Sequence, residues 1–139
     1  MTTTERVASP TEVRDRLATD GGFTFDPHTA SLVFIGDRDG WAIARAGSER
    51  IIGPTLDDSA EFLGAFLGAW DEAATTGGLV GGWYSDQRRA YMCEVTDVHE
   101  CDRATALVLG MAADQETVLN LRTGEVAAVP TFDDADVYA

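Results

Sequence analysis

Lysine does not occur in this chain, and it has two cysteines, four prolines and no long apolar run. Each shortage excludes something. Without lysine a GxxxxGK[ST] phosphate loop is impossible, and none of the glycine pairs 21-22, 77-78 and 81-82 sits in a GxGxxG fingerprint. Nucleotide binding through these loops is therefore excluded. Two cysteines, Cys93 and Cys101, do not make a disulfide framework and are expected to remain thiols in a reducing compartment. No apolar stretch approaches the roughly 18 residues of a membrane helix, and MTTTERVASP lacks the basic start and apolar centre of a secretion signal. A soluble, cytoplasmic protein is expected.

What remains is acidic. The 139 residues carry 24 carboxylate side chains against ten basic ones, all arginine, for a formal net charge of -14. Such a surface repels phosphate backbones and anionic lipid, so neither direct nucleic-acid binding nor membrane binding is expected; a basic protein surface is the matching partner. The same acidity also serves solubility. The length fits one domain, expected over residues 9–130 between a disordered N-terminus at 1–8 and an acidic C-terminal tail at 131–139.

Local signals place the elements. Ser9, Pro10 and Glu12 form a capping box with proline at the first helical position, and the helix that follows ends at Gly21-Gly22. SLVFIG (31–36) and WAIARAG (41–47) read as two strands of a hairpin turning at Asp39-Gly40, with ERIIG pairing next. Thr55 and Asp58 suggest a second capping box, opening a helix from about Leu56 to Thr75. On a helical wheel Leu56, Ala60, Leu63, Phe66, Leu67, Trp70, Ala73 and Ala74 form the expected core half, with Phe62 and Ala69 at its edge. Asp57, Asp58, Glu61, Asp71 and Glu72 lie on the other half with Gly64 and Gly68, and no cation lies among them. That half is the candidate partner-binding ridge.

LVGGWYS turns through DQR into RAYMCEVTD, a hairpin that alternates Tyr91, Cys93 and Val95 with Met92, Glu94 and Thr96. A helix is expected from about Asp102, burying Ala104, Leu107, Val108 and Met111. ETVLNL and EVAAV make a last hairpin across RTG, with Gly124 at the position that needs positive φ. The sum is an α+β fold with an antiparallel sheet of about six strands and two or three helices on one face.

Few residues here carry chemistry. Cys93, His99 and Cys101 are zinc-type ligands, but they lack paired short spacings and His28 is distant, so no metal or other cofactor is expected. Cys93 and His99 are six residues apart in an extended segment, about 20 Å, too far for a nucleophile and its base. No oxyanion-hole loop accompanies Cys101 and His99, so no catalytic residue is assigned. Trp83, Tyr84, Arg88, Tyr91 and His99 are the alternative, a ligand-binding aromatic and cationic patch, although cross-strand packing accounts for the rings too. The run from Phe132 to Tyr138 reads either as a recognition motif or as a tail placing Phe132 on the core.

GGFTFDPHT, GGWYSDQRRAYMCEVTDV and DRATALVLGMAADQETVLNLRTGEV together resemble a group of small uncharacterised acidic proteins of GC-rich bacteria, their phages and mobile elements. The similarity spans roughly residues 21 to 128 and consists of glycines, aromatics and turn residues. Cys93-Glu94 and Asn120 stand where that pattern favours aspartates. The resemblance implies a compact domain often encoded beside defence or counter-defence genes, and it carries over no catalytic residue. The resulting expectation is a non-enzymatic interaction protein, a phage or mobile-element inhibitor or nucleic-acid mimic. A ligand-binding module or enzyme built on the Trp83/Tyr91/His99 hairpin and a structural homo-oligomer are the alternatives.

Overall fold

The computed structural model describes residues 7–130. They contain three helices and eight strands paired antiparallel: α1 (Pro10–Asp20), β1 (Gly22–Asp26), β2 (Ser31–Leu32), β3 (Trp41–Ala44), β4 (Arg50–Gly53), α2 (Ser59–Thr76), β5 (Leu79–Ser85), β6 (Ala90–His99), α3 (Arg103–Ala112), β7 (Thr117–Asn120) and β8 (Val126–Ala128). The class is α+β as expected, with more strands than the expected six. The described residues form two compact units, one from residues 7–33 and 47–96 and the other from 34–46 and 97–130. The expected C-terminal tail and its Phe132–Tyr138 motif lie outside the described residues, as do residues 1–6 of the N-terminus. Val7 and Ala8 are tied down, the first bridging Ser31 and the second donating its amide to the Ala30 carbonyl.

In the first unit β5 pairs with β1 and β6, β1 also pairs with β2, and β4 pairs with β6. Register puts Phe25, Val80 and Val95 in one row and Phe23, Gly82 and Cys93 in the next. These rows face α1 and α2, with Val13, Leu17, Phe62, Phe66, Ala69 and Ala73 completing the core. Gly82 is the open tile in this floor: a β-carbon there would stand 1.9 Å from Phe23 Cε2, so the ring lies across bare backbone. The opposite pleats, Thr24, Met92, Glu94 and Thr96, are buried as well.

Caps follow the local chemistry. Ser9 and Glu12 form the expected capping box, and Gly21 closes α1 in the left-handed conformation at φ 80°. The start of α2 differs from the sequence reading: Asp58 is the N-cap, accepting from Ala60 N and Glu61 N, while Thr55 Oγ1 accepts from Asp57 N ahead of the helix. Its rotation differs too. Phe62, Ala65, Phe66, Ala69 and Ala73 face inward, whereas Leu63 and Leu67, expected in the core, are 40% and 46% exposed. Alanine on the inner face lets the helix axis approach the sheet, which swings the leucines to solvent.

The expected hairpin between 31–36 and 41–47 does not form. Val33 N bonds to Thr24 O and Gly36 N to Leu121 O, so the intervening chain is a loop, while β3 pairs with β7. In the second unit α3 covers β3 and β7 around Trp41, Ile43, Ala106, Val118 and Ala127. Its buried positions are Ala106 and Gly110; Ala104 is exposed and Val108 is 63% exposed, against expectation. Gly110 sets the distance, since a β-carbon there would meet Val118 and Val129 at 2.8 and 2.9 Å. The β7–β8 hairpin forms as expected, with Gly124 at φ 82°.

Candidate functional site

The first unit presents the acidic ridge on α2. Asp57, Glu61 and Asp71 are exposed. Asp58 is exposed too, but its carboxylate caps the helix. Glu72 is joined to Arg50 of β4 at 3.2 Å, a cation that helical spacing alone could not reveal. The same guanidinium lies 3.0 Å from where a β-carbon on Gly68 would stand, so Gly68 is roofed, while nothing lies within 4 Å of that point on Gly64. The ridge is therefore three outward carboxylates beside a strip containing Ala60, Leu63, Gly64 and Leu67. The exposed leucines are the feature that sequence reasoning missed, and the alanines at 65, 69 and 73 were the available signal.

The aromatic patch divides between the faces of the sheet. Tyr84 and Tyr91 are directly opposite in the β5–β6 ladder and pack edge to face at 5.0 Å. Trp83 is next in the strand and so points to the other face, opposite Met92. Arg88 lies in the turn, its amide bonded to Ser85 Oγ. His99 ends β6, eight residues beyond Tyr91, about 26 Å at ordinary strand rise. Strand geometry brings the tyrosines together and leaves Trp83 and His99 apart from them.

Cys93 is fully buried, and burial, reinforced by the charge of Glu94, pushes its thiol up to about 12. A thiol so placed stays protonated and unreactive at neutral pH. Cys101 is half-buried. Among the described residues no three His, Cys, Asp or Glu side chains gather as a metal-binding group.

The second unit contains an open cleft of about 460 Å³ walled by Asp39, Trp41, Glu100, Cys101, Asn120 and Arg122. Its cation is already engaged: Arg122 donates to the Gly36 carbonyl at 2.7 Å and to Asp39 at 2.8 Å, and the bond to Asp39 holds that carboxyl below the usual carboxylate range. Sequence reasoning assigned Asp39-Gly40 and Arg122-Thr123-Gly124 only to turns, because their meeting depends on distant pairing.

In the same unit, Arg45 grips Asp97 with two bonds, Nε to Oδ2 at 3.0 Å and Nη2 to Oδ1 at 2.6 Å. Hydrogen bonding from Arg45 lowers the Asp97 pKa against the opposing effect of burial. A carboxyl whose folded pKa is depressed stabilises the fold above its unfolded value, near 3.9, and loses that contribution as pH falls through the lower folded value. Asp97→Asn is therefore expected to cost about 0.5–1 kcal/mol at pH 7, because the pair is partly solvated. The difference from wild type should shrink as pH falls through the depressed folded value and vanish below it. Thermal melts across that range check it; a gap that persists at low pH would mean the aspartate acts other than through its charge.

No family model, curated protein or solved structure matches the chain. Among the described residues no helix is long and apolar enough to cross a membrane.

Proposed function

We propose that this is a non-enzymatic interaction protein that presents negative charge to a basic protein surface, acting as an inhibitor of the phage or mobile-element kind, by occlusion or nucleic-acid mimicry. The observation that carries this reading is the outer side of α2 and the residue ahead of its cap, where Asp57, Glu61 and Asp71 are exposed while Arg50 is bound to Glu72. The rest of the surface adds to the field. Among the described residues Arg16, Arg45, Arg50, Arg103 and Arg122 are each matched to a carboxylate of the same chain, and the net charge of the whole chain is -14. Electrostatic attraction of this kind accelerates encounter and is screened beyond about 8 Å at physiological salt.

The test leaves the helix cap intact. Asp57→Asn, Glu61→Gln and Asp71→Asn are combined, and both forms are used as bait in host lysate at about 50 and about 500 mM salt, between which the Debye length falls about threefold. The wild type is expected to capture a basic protein at low salt, with capture by the neutralised form reduced about tenfold or more. Equal capture by both forms, or capture indifferent to salt, would rule the reading out.

A further inference from the structure

The ridge specifies more than charge. Ala60, Leu63, Gly64 and Leu67 form a continuous apolar strip on the solvent side of α2, with Leu63 at 40% and Leu67 at 46% exposure. Helical spacing puts Glu61 along one long edge of that strip, Asp57 stands just ahead of the Asp58 N-cap, and Asp71, one turn beyond Leu67, closes the C-terminal end. At Gly64 nothing stands above the backbone, so a partner's main chain can approach there between the two leucines. Glu61 and Asp71 are ten residues apart, about 15 Å, or three turns of a helix lying alongside.

We infer that the occupant of this face is an amphipathic α-helix with an apolar stripe and flanking arginine or lysine, laid along α2. The inference rests on the basic-partner reading above and adds the shape of what is recognised. Two features select this occupant. The apolar strip needs leucine-like side chains recurring on one face, which a helix supplies at i, i+3, i+4 and i+7. The carboxylate edge and end need cations one step to the side, which the polar face of the same helix supplies. A second copy of this chain fails the charge requirement. Antiparallel pairing of two α2 helices about the Gly64–Leu67 strip brings Glu61 of one against Asp71 of the other, and parallel pairing sets Asp71 against itself; either juxtaposition repels.

The decisive experiment uses the full chain and a fluorescein-labelled synthetic peptide of about 18 residues, long enough to fold on the surface. Leucines occupy one helical face, with arginines flanking. A second peptide has the same composition scrambled so that its leucines no longer share a face. Anisotropy titrations at low salt are expected to show the amphipathic peptide binding at least about tenfold more tightly than the scrambled one, a discrimination of about 1.4 kcal/mol. Leu63→Asn/Leu67→Asn should erase that discrimination; both side chains are solvent-facing, and a thermal melt verifies that the variant folds. Amide exchange should slow along residues 60–71 on binding. Equal affinity for both peptides, with loss only on neutralising Asp57, Glu61 and Asp71, would overturn the helical partner and leave the acidic reading standing. Binding of neither peptide, or binding unaffected by either variant, would overturn both. Self-association through α2 in sedimentation would overturn the helical partner.

Discussion

Phe66→Ala is expected to remove about 3–5 kcal/mol of folding free energy, the range for truncating a buried aromatic. Phe66 is fully buried, and its ring lies 5.9 Å from that of Phe23, 5.1 Å from Phe25, 5.6 Å from Phe62 and 5.6 Å from Trp70. Each ring pair contributes about 0.5–1.5 kcal/mol beyond the area it covers, so the loss should fall in the upper part of that range. Against a total stability of about 5–15 kcal/mol, the variant would be marginal at 37 °C. Urea titration followed by tryptophan fluorescence reads this directly, because Trp70 belongs to the same cluster. A loss below about 1 kcal/mol would show that these rings do not form the centre of the core.

Gly82→Ala should rank next, costing about 3 kcal/mol, the upper end for overpacking a close contact. The added methyl would occupy space already taken by Phe23, with Cε2, Cδ2 and Cζ at 1.9, 2.6 and 2.6 Å. Backbone and ring are register partners in adjacent strands, so neither retreats without disturbing the β1–β5 ladder. The ring would instead have to leave its rotamer and its edge-to-face contact with Phe66. The cause is separable. Phe23→Ala opens the space that the methyl needs, and the double variant should lose at least about 1 kcal/mol less than the sum of the two single changes. Additive losses would show that the ring and the glycine are not in contact.

Legibility in the sequence followed the range of the interaction. Caps are local hydrogen bonds, and Ser9 with Glu12, Asp102, and the closing glycines 21 and 77 were all readable from a few adjacent residues. The start of α2 offered two acceptors three residues apart, Thr55 and Asp58, and only the fold selects the second as the cap. Hairpins with short turns were legible at β5–β6 and β7–β8. β1 was not, because GFTFD pairs with β5, some 57 residues away, and no local feature encodes that partner. The same holds for the pairing of β3 with β7, although each was legible as a strand.

The large residues on the helix faces were misread for one reason, and Ala60, Ala74 and Ala104, also expected inside, are exposed with them. Ranking by hydrophobicity places leucine and valine inside, yet α2 and α3 approach their strands through Ala65, Ala69, Ala73, Ala106 and Gly110. Close approach of the axes rewards small side chains, and Leu63, Leu67 and Val108 turn outward as a result. The candidate ridge was thus legible in its charges. Its apolar strip was hidden, since those leucines had been assigned to the core.

The two cysteines differ in a way that has a practical corollary. Cys93 is sealed in the middle of β6, whereas Cys101, just before α3, is partly open to solvent. A maleimide added to the native protein therefore has one ready target, and the second becomes available only while the sheet is breached. Stoichiometry of modification over time then counts opening events of the intact molecule, without denaturant and without an engineered label.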